Sequence, residues 1–452
     1  MLDVLWSIAA FVVALGVLVS IHEYGHFWVA RRLGVKVLRF SIGFGKPLWR
    51  RQGKDGVEYV IAAVPLGGYV KMLDEREAEV SAAELPLAFN RQSVWKRIAI
   101  VSAGPLANFL LAIVAYWMVF VAGVTGLKPI LAEPRAGSPA AAAGLHAGDE
   151  ILRLDDAPIA TWQMLLPELI DRVLDSEPAT LEVRDAQNAV RNVVLDFAGV
   201  RLEPRFIFED LGLKLSEPDI PPVLKQVLPA GAALAAGFQP GDRLLGYNGT
   251  PLQSWQQWTA WVRAHPGAAV NIAIARGAEH LTLTAIIGRE ERGDGTFQGR
   301  FGASVDVPAG LWDNLLTEHR LDVLPAMPAA VAETFRMSGL TLKMLYRMVL
   351  GDVSVRNISG PIQIAEFAGD YASSGLVSFL SFIAIMSVSL FVLNLLPVPV
   401  LDGGHLLYYL VELVKGSPLS ERAQMVGQQV GVTLLIGLMG LAFYNDILSL
   451  IN

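Results

Sequence analysis

The sequence predicts an α-helical polytopic membrane protein that also carries two tandem β-rich domains. Of its 452 residues, 53% are hydrophobic and only 17% are charged, whereas a soluble domain averages about 25% charged residues. Four uncharged runs each approach or exceed the roughly 20 residues that a spanning helix needs. Between the second and third runs, one sequence block occurs twice. These three observations predict the fold class.

The composition also restricts the chemistry. The chain contains no cysteine, so disulfides and thiolate ligands are excluded, and any metal must be held by His, Asp or Glu. The net charge of −7 gives no indication of a nucleic-acid partner, and we expect none.

The uncharged runs predict four transmembrane helices: Val4–Ile21, Ile98–Leu127, Tyr371–Leu401 and Ala423–Asn445. With flanking residues, we assign the spans to residues 1–30, 98–126, 371–412 and 423–446. The first run lacks a basic N-terminal region and a small-residue cleavage site. We therefore interpret it as a retained helix and not as a signal peptide.

The loop at residues 31–97 predicts the orientation in the membrane. It contains thirteen Lys and Arg residues, and loops rich in these residues stay on the cytoplasmic side. Both termini and the long region between the second and third spans then lie in the periplasm. We expect a multi-pass protein of the bacterial inner membrane.

A metal-binding motif, His22-Glu23-Tyr24-Gly25-His26, follows the first apolar run directly. Two imidazoles four residues apart lie on one face of a helix and can bind one metal ion, while the carboxylate between them can take a proton from water. Polar side chains at membrane depth cost several kcal/mol unless they are paired or coordinate a ligand. The motif therefore predicts hydrolysis inside a membrane.

A catalytic zinc site usually has a third protein ligand. The third span offers candidates because two prolines and two glycines interrupt it, which predicts a break in the helix. Asp402 follows the prolines and is the favoured ligand. His405, three residues later, is a rival, and Glu412 is a weaker candidate.

The cytoplasmic loop contains a predicted β-hairpin. Residues 37–43 and 57–64 are rich in β-branched and aromatic residues and flank a polar, Gly-containing stretch. Residues 65–72 add a turn and a short extended piece. The hairpin either belongs to a small cytoplasmic sheet or extends towards the active site and offers an edge to a substrate strand.

The repeated block predicts two similar domains. Gly144–Leu152 returns as Gly237–Leu245, and this offset of 93 residues also relates Trp162 to Trp255. We assign the domains to residues 127–204 and 205–308. They resemble the circularly permuted PDZ domains of bacterial periplasmic proteases, which either capture peptides or serve as packing elements.

Residues 309–370 form a predicted amphipathic helical region. Met337, Leu340, Met344 and Met348 recur at helical spacing, which fits a helix on the membrane surface or an ordinary packed helix. In the second span, small residues such as Gly104 permit close helix contact. Asn108 in the same span either bonds a neighbouring helix or holds a substrate carbonyl or oxyanion.

Three motifs together resemble the site-2 protease family, the M50-type intramembrane zinc metalloproteases. They are HEYGH in the first span, Gly104-Pro105-Leu106-Ala107-Asn108 in the second, and Asn394 with Leu401-Asp402-Gly403 in the third. The four spans and the tandem PDZ domains resemble the RseP branch of Gram-negative bacteria. The resemblance covers essentially the whole chain.

The resemblance implies roles for individual residues. His22, His26 and Asp402 would bind Zn²⁺, and Glu23 would be the general base. Residues 37–72 would form the membrane-associated β-hairpin that holds the unwound substrate as an added strand, so Gly68 and Tyr69 are expected to contact substrate. Asn394, with the prolines after it, would shape the substrate path.

The resemblance also implies partners. The substrate would be a single-pass anti-sigma factor, already trimmed by a periplasmic protease, whose cleavage activates the sigma-E envelope-stress response. Signal-peptide remnants in the lipid bilayer would be a second substrate class, and the PDZ pair would exclude bulky periplasmic domains. Ser389 stands where this branch leads us to expect asparagine.

Two alternatives to a protease are open. A non-proteolytic membrane PDZ scaffold would have a closed structural metal site, with His405 as a fourth ligand. A metal transporter would need further polar residues along a path, and the second and fourth spans offer almost none. The transporter is the least favoured.

Overall fold

The computed structural model describes the chain except for residues 1, 77, 78, 176, 202, 204, 205, 230, 292–294 and 452; the side chains of residues 2, 65, 66, 450 and 451 are also not described. The chain divides into two compact units. The first comprises Met1–Thr125 and Glu318–Leu448, and the second comprises Gly126–Thr317 and Ser449–Asn452.

The described helices, in chain order, are α1 (Leu2–Arg32), α2 (Val94–Ala122), α3 (Pro139–Ala142), α4 (Trp162–Asp175), α5 (Ile207–Leu211), α6 (Ala232–Ala235), α7 (Trp255–Ala264), α8 (Val323–Leu350), α9 (Pro361–Ser373), α10 (Leu376–Leu395), α11 (Asp402–Lys415) and α12 (Glu421–Ile451). The strands are β1 (Val37–Gln52), β2 (Glu58–Met72), β3 (Val124–Leu127), β4 (Glu150–Leu154), β5 (Ala157–Pro158), β6 (Ala179–Arg184), β7 (Val190–Leu195), β8 (Leu224–Val227), β9 (Arg243–Tyr247), β10 (Thr250–Pro251), β11 (Ala269–Arg276), β12 (Glu279–Ile286), β13 (Gly288–Glu291), β14 (Phe297–Arg300), β15 (Ala303–Val305) and β16 (Leu316–His319).

Within the described residues, four helices are long and apolar enough to cross a membrane: α1, α2, α10 and α12. Each coincides with one of the uncharged runs, because a run of about 20 apolar residues can satisfy its backbone hydrogen bonds in lipid only as a helix. The coarser fold class, a helical membrane protein that also contains β-sheets, is therefore confirmed.

The third predicted span needs a correction. Residues 371–412 do not form one helix but comprise the end of α9, the whole of α10 and most of α11. The break between α10 and α11 covers residues 396–401 and contains Pro397 and Pro399, as the sequence predicts. Proline has no backbone N–H and disfavours the helical conformation in the residue before it, so α10 ends at Leu395.

The predicted helical region at residues 309–370 also contains the short strand β16. α8 packs Ala330, Met337 and Leu345 into a cluster shared with α2 and α10, which fits the packed-helix alternative. The same helix exposes large apolar side chains such as Phe335 and Tyr346, both 62% accessible. One face of α8 is therefore packed and another is apolar and open.

The start of α9 is fixed by the end of α12. Asp446 is fully buried, and its carboxylate accepts hydrogen bonds from the backbone N–H groups of Gly360 and Ile362, both at 2.8 Å. The Asn445 amide donates to the carbonyls of Val355 and Ile358 at 3.0 Å. The bonds to Asp446 satisfy N–H groups that the helix start leaves unpaired, and the bonds from Asn445 hold the segment before α9.

The β-hairpin is longer than predicted. β1 and β2 pair antiparallel, and β2 continues through Pro65 to Met72 as one strand. The first part of β1 has β2 residues on both sides, since Phe40 pairs with Val70 and also with Tyr59. The segment from Gly68 to Met72 therefore lies at an edge, with a pairing partner on one side only among the described strands.

The second unit contains two sheets with the same strand order, β5-β4-β6-β7 and β10-β9-β11-β12. The offset of 93 residues relates α3 to α6, β4 to β9 and β5 to β10. Each sheet and the helices packed on it form one module, and each module has its own core. The core of the first module, which contains the sheet β5-β4-β6-β7, includes the fully buried Leu165, and that of the second, which contains β10-β9-β11-β12, includes Trp258. The sequence repeat thus corresponds to a repeated arrangement of elements.

The repeated Gly-Asp pair has a structural role in both modules. Asp149 and Asp242 are buried and accept hydrogen bonds from Arg191 at 2.6 Å and from Arg276 at 2.7 Å, respectively. Each arginine also donates to the carbonyl of the first glycine of its block. Burial alone would raise the pKa of Asp242, but the hydrogen bonds from Arg276 and the Gln239 backbone outweigh it and leave that pKa below its usual range.

Candidate metal centre

α1 carries the two predicted imidazole ligands on one face. His22 and His26 are one helical turn apart, and their Nε2 atoms lie 3.2 Å from each other. Nδ1 of His26 lies 2.8 Å from the carbonyl oxygen of Ile100 on α2. Because a carbonyl only accepts hydrogen bonds, Nδ1 carries the proton and Nε2 keeps a lone pair for a metal.

The predicted carboxylate ligand comes from the first residue of α11. Oδ2 of Asp402 lies 3.1 Å from His22 Nε2 and 3.5 Å from His26 Nε2. Within the described residues, these three side chains form the one group of three metal-ligating residues whose ligand atoms lie within 4.8 Å of each other. The structure therefore brings together all three predicted ligands.

The donor set fits a zinc ion. Ligand atoms at about 2.0–2.1 Å from a tetrahedral zinc lie about 3.3 Å from one another, and the three observed separations are 3.1, 3.2 and 3.5 Å. Oδ2 of Asp402 is buried without a hydrogen-bond partner among the described residues. Converging lone pairs without protons repel each other, and a bound cation removes that cost.

Two glycines allow α1 and α2 to approach at this point. A Cβ atom at Gly25 would lie 2.3 Å from the carbonyl oxygen of Ala103, and one at Gly104 would lie 2.2 Å from His26 Nε2. Atoms cannot come that close, so any larger residue would separate the helices. The predicted role of small residues in the second span is confirmed.

Glu23 faces the edge segment of the hairpin. The side chain of Glu23 is partly buried, and a Cβ atom at Gly68 would lie 2.8 Å from Glu23 Cγ. Of the two alternatives for the hairpin, the structure thus favours the one in which it extends towards the predicted active site. Tyr69 accepts a hydrogen bond from Arg39 at 3.0 Å and stacks on Phe44.

The broken segment before Asp402 contains features that the sequence did not reveal. Val400 has φ of +109°, a strained conformation for a β-branched residue. α12 supports this segment closely, since a Cβ atom at Gly431 would lie 1.7 Å from the carbonyl oxygen of Pro399. Gly427, four residues earlier, faces Tyr408 in the same way. A Gly-x-x-x-Gly pattern within an apolar run could have indicated this contact.

Asn108 lies behind His22. Its side chain is fully buried, and Nδ2 is 3.4 Å from His22 Nδ1. Its backbone carbonyl accepts a hydrogen bond from Ser387 at 2.8 Å. The amide therefore meets the edge of the ring that points away from Asp402.

Comparison with known proteins decides the family. The profile of Peptidase family M50 matches residues 10–438. The chain belongs to peptidase family M50. It is 44% identical over 448 residues to the Regulator of sigma-E protease RseP of Escherichia coli (strain K12), with 99% of each chain covered. It is also 44% identical over 451 residues to Protease RseP of Yersinia pestis, again with 99% of each chain covered.

A third relative, the Regulator of sigma-E protease RseP of Salmonella typhimurium (strain 14028s / SGSC 2262), is 42% identical over 448 residues and 99% of both chains. These matches confirm the resemblance to the RseP branch of site-2 proteases. They also confirm the predicted enzyme class, a metalloprotease.

The rival ligands of this M50 peptidase lie outside the three-residue group. His405 is exposed and faces the ring of Tyr408 edge-on. Glu412 accepts a hydrogen bond from Arg97 at 2.5 Å and is partly buried with it. Asn394, in the last turn of α10, is partly buried. Because Glu412 is paired with Arg97, its carboxylate holds α11 to α2.

Proposed function

We propose that this M50 peptidase is a zinc-dependent intramembrane endopeptidase that cleaves single-pass transmembrane segments. One observation carries the proposal. His22 and His26, in an apolar spanning helix, meet Asp402 at the end of a proline break in a second apolar segment. Three such groups at membrane depth are costly without a function.

His22, His26 and Asp402 would hold Zn²⁺ and leave one position open, as in catalytic zinc sites. When bound, zinc acts as a Lewis acid that activates water and polarises the scissile carbonyl. Glu23, one residue after His22, accepts the proton from the attacking water and returns it to the leaving amine. The closed contact of α1 with α2 limits access of bulk water from that side.

The hairpin edge supports a mode of substrate binding. A helical amide is protected by its own hydrogen bonds, so a substrate helix must unwind before cleavage. The edge at residues 68–72, which pairs with β1 on one side, is placed to take up the unwound strand beside Glu23. Leu48 and Trp49 of the hairpin are 73% and 49% exposed, which supports contact with the bilayer. Asn394 would lie along the substrate path.

We further propose the substrate and the location. The names of the relatives support a role in the regulation of sigma-E. From the resemblance to that branch, we propose a pre-trimmed anti-sigma factor as the substrate and signal-peptide remnants as a second substrate class. The protein would lie in the bacterial inner membrane, with residues 31–97 cytoplasmic and both termini periplasmic. The two repeated modules would be periplasmic PDZ domains that exclude substrates with bulky domains.

The test is cleavage of a single-pass model substrate by the full-length protein reconstituted in liposomes. Glu23→Gln keeps the size of the side chain but removes the base, so we expect loss of cleavage with retained zinc. Glu366→Gln, at an exposed position of α9, is the matched control and should be fully active. Full activity of Glu23→Gln would show that the proposed mechanism is wrong.

The scaffold alternative is not favoured. It needs closed coordination with His405 as fourth ligand, and His405 is not a member of the three-residue group. The scaffold would be supported if the wild type and Glu23→Gln both lacked activity and if removal of zinc unfolded the chain.

A further inference from the structure

We propose that Asn108 is a positioning residue for the metal site, whose side-chain oxygen accepts a hydrogen bond from Nδ1–H of His22 and so directs His22 Nε2 to the metal. The inference rests on the proposed zinc site. It assigns to Asn108 a role different from the substrate or oxyanion contact that the sequence suggested.

The Asn108 amide is buried next to His22. Asn108 is 0% exposed, so it has no access to water or to a substrate in the described structure. Nδ2 lies 3.4 Å from His22 Nδ1, while Oδ1 is buried and has no hydrogen-bond partner among the described residues. A buried polar atom without a partner costs about 1–3 kcal/mol.

The chemistry of His22 indicates a partner for this oxygen. Nε2 of His22 faces Asp402 and His26, so it must keep its lone pair to bind a metal, and Nδ1 must then carry the ring proton. Nδ1–H needs an acceptor, and an amide nitrogen is not one. A half-turn of the Asn108 amide exchanges its oxygen and nitrogen and places Oδ1 against Nδ1. The same turn gives the unpaired oxygen its partner.

The second imidazole has an equivalent contact. Nδ1 of His26 donates to the backbone oxygen of Ile100 at 2.8 Å. Both orienting acceptors therefore come from α2, one from the backbone and one from a side chain. Such contacts behind metal-binding imidazoles fix the tautomer and the ring orientation.

Asn108 is itself held in place. The hydroxyl of Ser387, which is fully buried on α10, donates to the Asn108 carbonyl at 2.8 Å. α10 leads directly into the broken segment before Asp402. The contact thus connects the helix that orients His22 with the segment that supplies the carboxylate.

Zinc affinity of the purified full-length protein in detergent, measured by competition with a chelator, tests the proposal. Asn108→Leu removes the acceptor at similar volume and should weaken zinc binding about 10- to 100-fold. Asn108→Asp keeps an oxygen acceptor and should bind zinc at least as tightly as the wild type. Ser102→Ala removes a hydroxyl that, among the described residues, bonds to carbonyls of its own helix; it is the matched control and should leave the affinity unchanged.

If Asn108 served only in helix packing, Asn108→Asp would lose zinc affinity, because a buried carboxylate would disturb the packing more than an amide does. Loss of zinc in Asn108→Asp, or wild-type affinity in folded Asn108→Leu, would overturn the proposal. If Asn108→Leu does not fold, Asn108→Asp alone decides. A wild type that binds no zinc would instead refute the proposed function, so the two failures are distinguishable.

Discussion

Gly104 lies directly against the imidazole of His26, and a Cβ atom at Gly104 would lie 2.2 Å from His26 Nε2. The His26 ring and α2 therefore meet in a space that only glycine leaves open. The His26 ring thus contacts α2 at two positions. It packs against Gly104, and its Nδ1 bonds to the carbonyl oxygen of Ile100, four residues before Gly104.

The first prediction concerns this contact. Gly104→Ala should displace the His26 ring and lower zinc affinity at least tenfold. The added methyl group would overlap Nε2, and the ring cannot move away without losing the bond from its Nδ1 to Ile100. Gly16→Ala on α1 is the control, since a Cβ atom there meets nothing within 4 Å. Chelator competition and cleavage are measured for both. Equal zinc affinity of the two variants would contradict the role of Gly104.

A second prediction concerns the support of the broken segment by α12. A Cβ atom at Gly431 would lie 1.7 Å from the Pro399 carbonyl oxygen, whereas one at Gly437 on the same helix meets nothing within 4 Å. Gly431→Ala should therefore shift the segment that carries Asp402 and reduce cleavage strongly.

Gly437→Ala should leave cleavage and thermal stability close to those of the wild type, within about 0.5 kcal/mol. Both variants are compared in the same reconstituted assay, with zinc content measured in parallel. The contact has no role in the site if Gly431→Ala is as active as Gly437→Ala.

The sequence predicted those features that depend on local pattern. Uncharged runs located the four spanning helices, and the two prolines located the break before Asp402. The positions of His22 and His26 on one helix face followed from their spacing. Each of these depends on residues that are close together in the chain.

The remaining features depend on contacts between distant residues. Asp446 bonds to Gly360, which is 86 positions away, and nothing near either residue indicates the pair. The side chain of Asn108 fits several polar roles, and only its distance from His22 separates them. The strained φ of Val400 follows from the packing around the break and not from the preference of valine.

The third prediction concerns the rival ligand. His405→Gln should leave the zinc content of the purified protein unchanged, because His405 lies outside the group formed by His22, His26 and Asp402. His26→Gln should lose zinc, since removal of one of three protein ligands leaves an incomplete site. Metal analysis after dialysis distinguishes the two variants. Equal loss of zinc from both would place His405 in the coordination sphere.

The last prediction concerns the repeated modules. The Asp242 carboxylate is fully buried and bonded to Arg276, which is 29% exposed. Asp242→Asn removes a charge-assisted pair, so it should lower the free energy of unfolding by about 2 kcal/mol at neutral pH. Thermal unfolding of a fragment covering residues 126–317, followed by circular dichroism, measures the change. Asp219→Asn, at an exposed position, is the control.

The pH dependence of this stability follows from the lowered pKa of Asp242. Burial alone would raise that pKa, but the hydrogen bonds from Arg276 and the Gln239 backbone outweigh it. A carboxyl whose pKa is lower in the folded state stabilises the fold fully above the unfolded value of about 3.9. That stabilisation is lost as the pH falls through the folded pKa. The difference between wild type and Asp242→Asn should thus be constant from neutral pH to about pH 5 and shrink in stronger acid. A difference that grows on acidification would mean that the Arg276 pair does not lower the pKa.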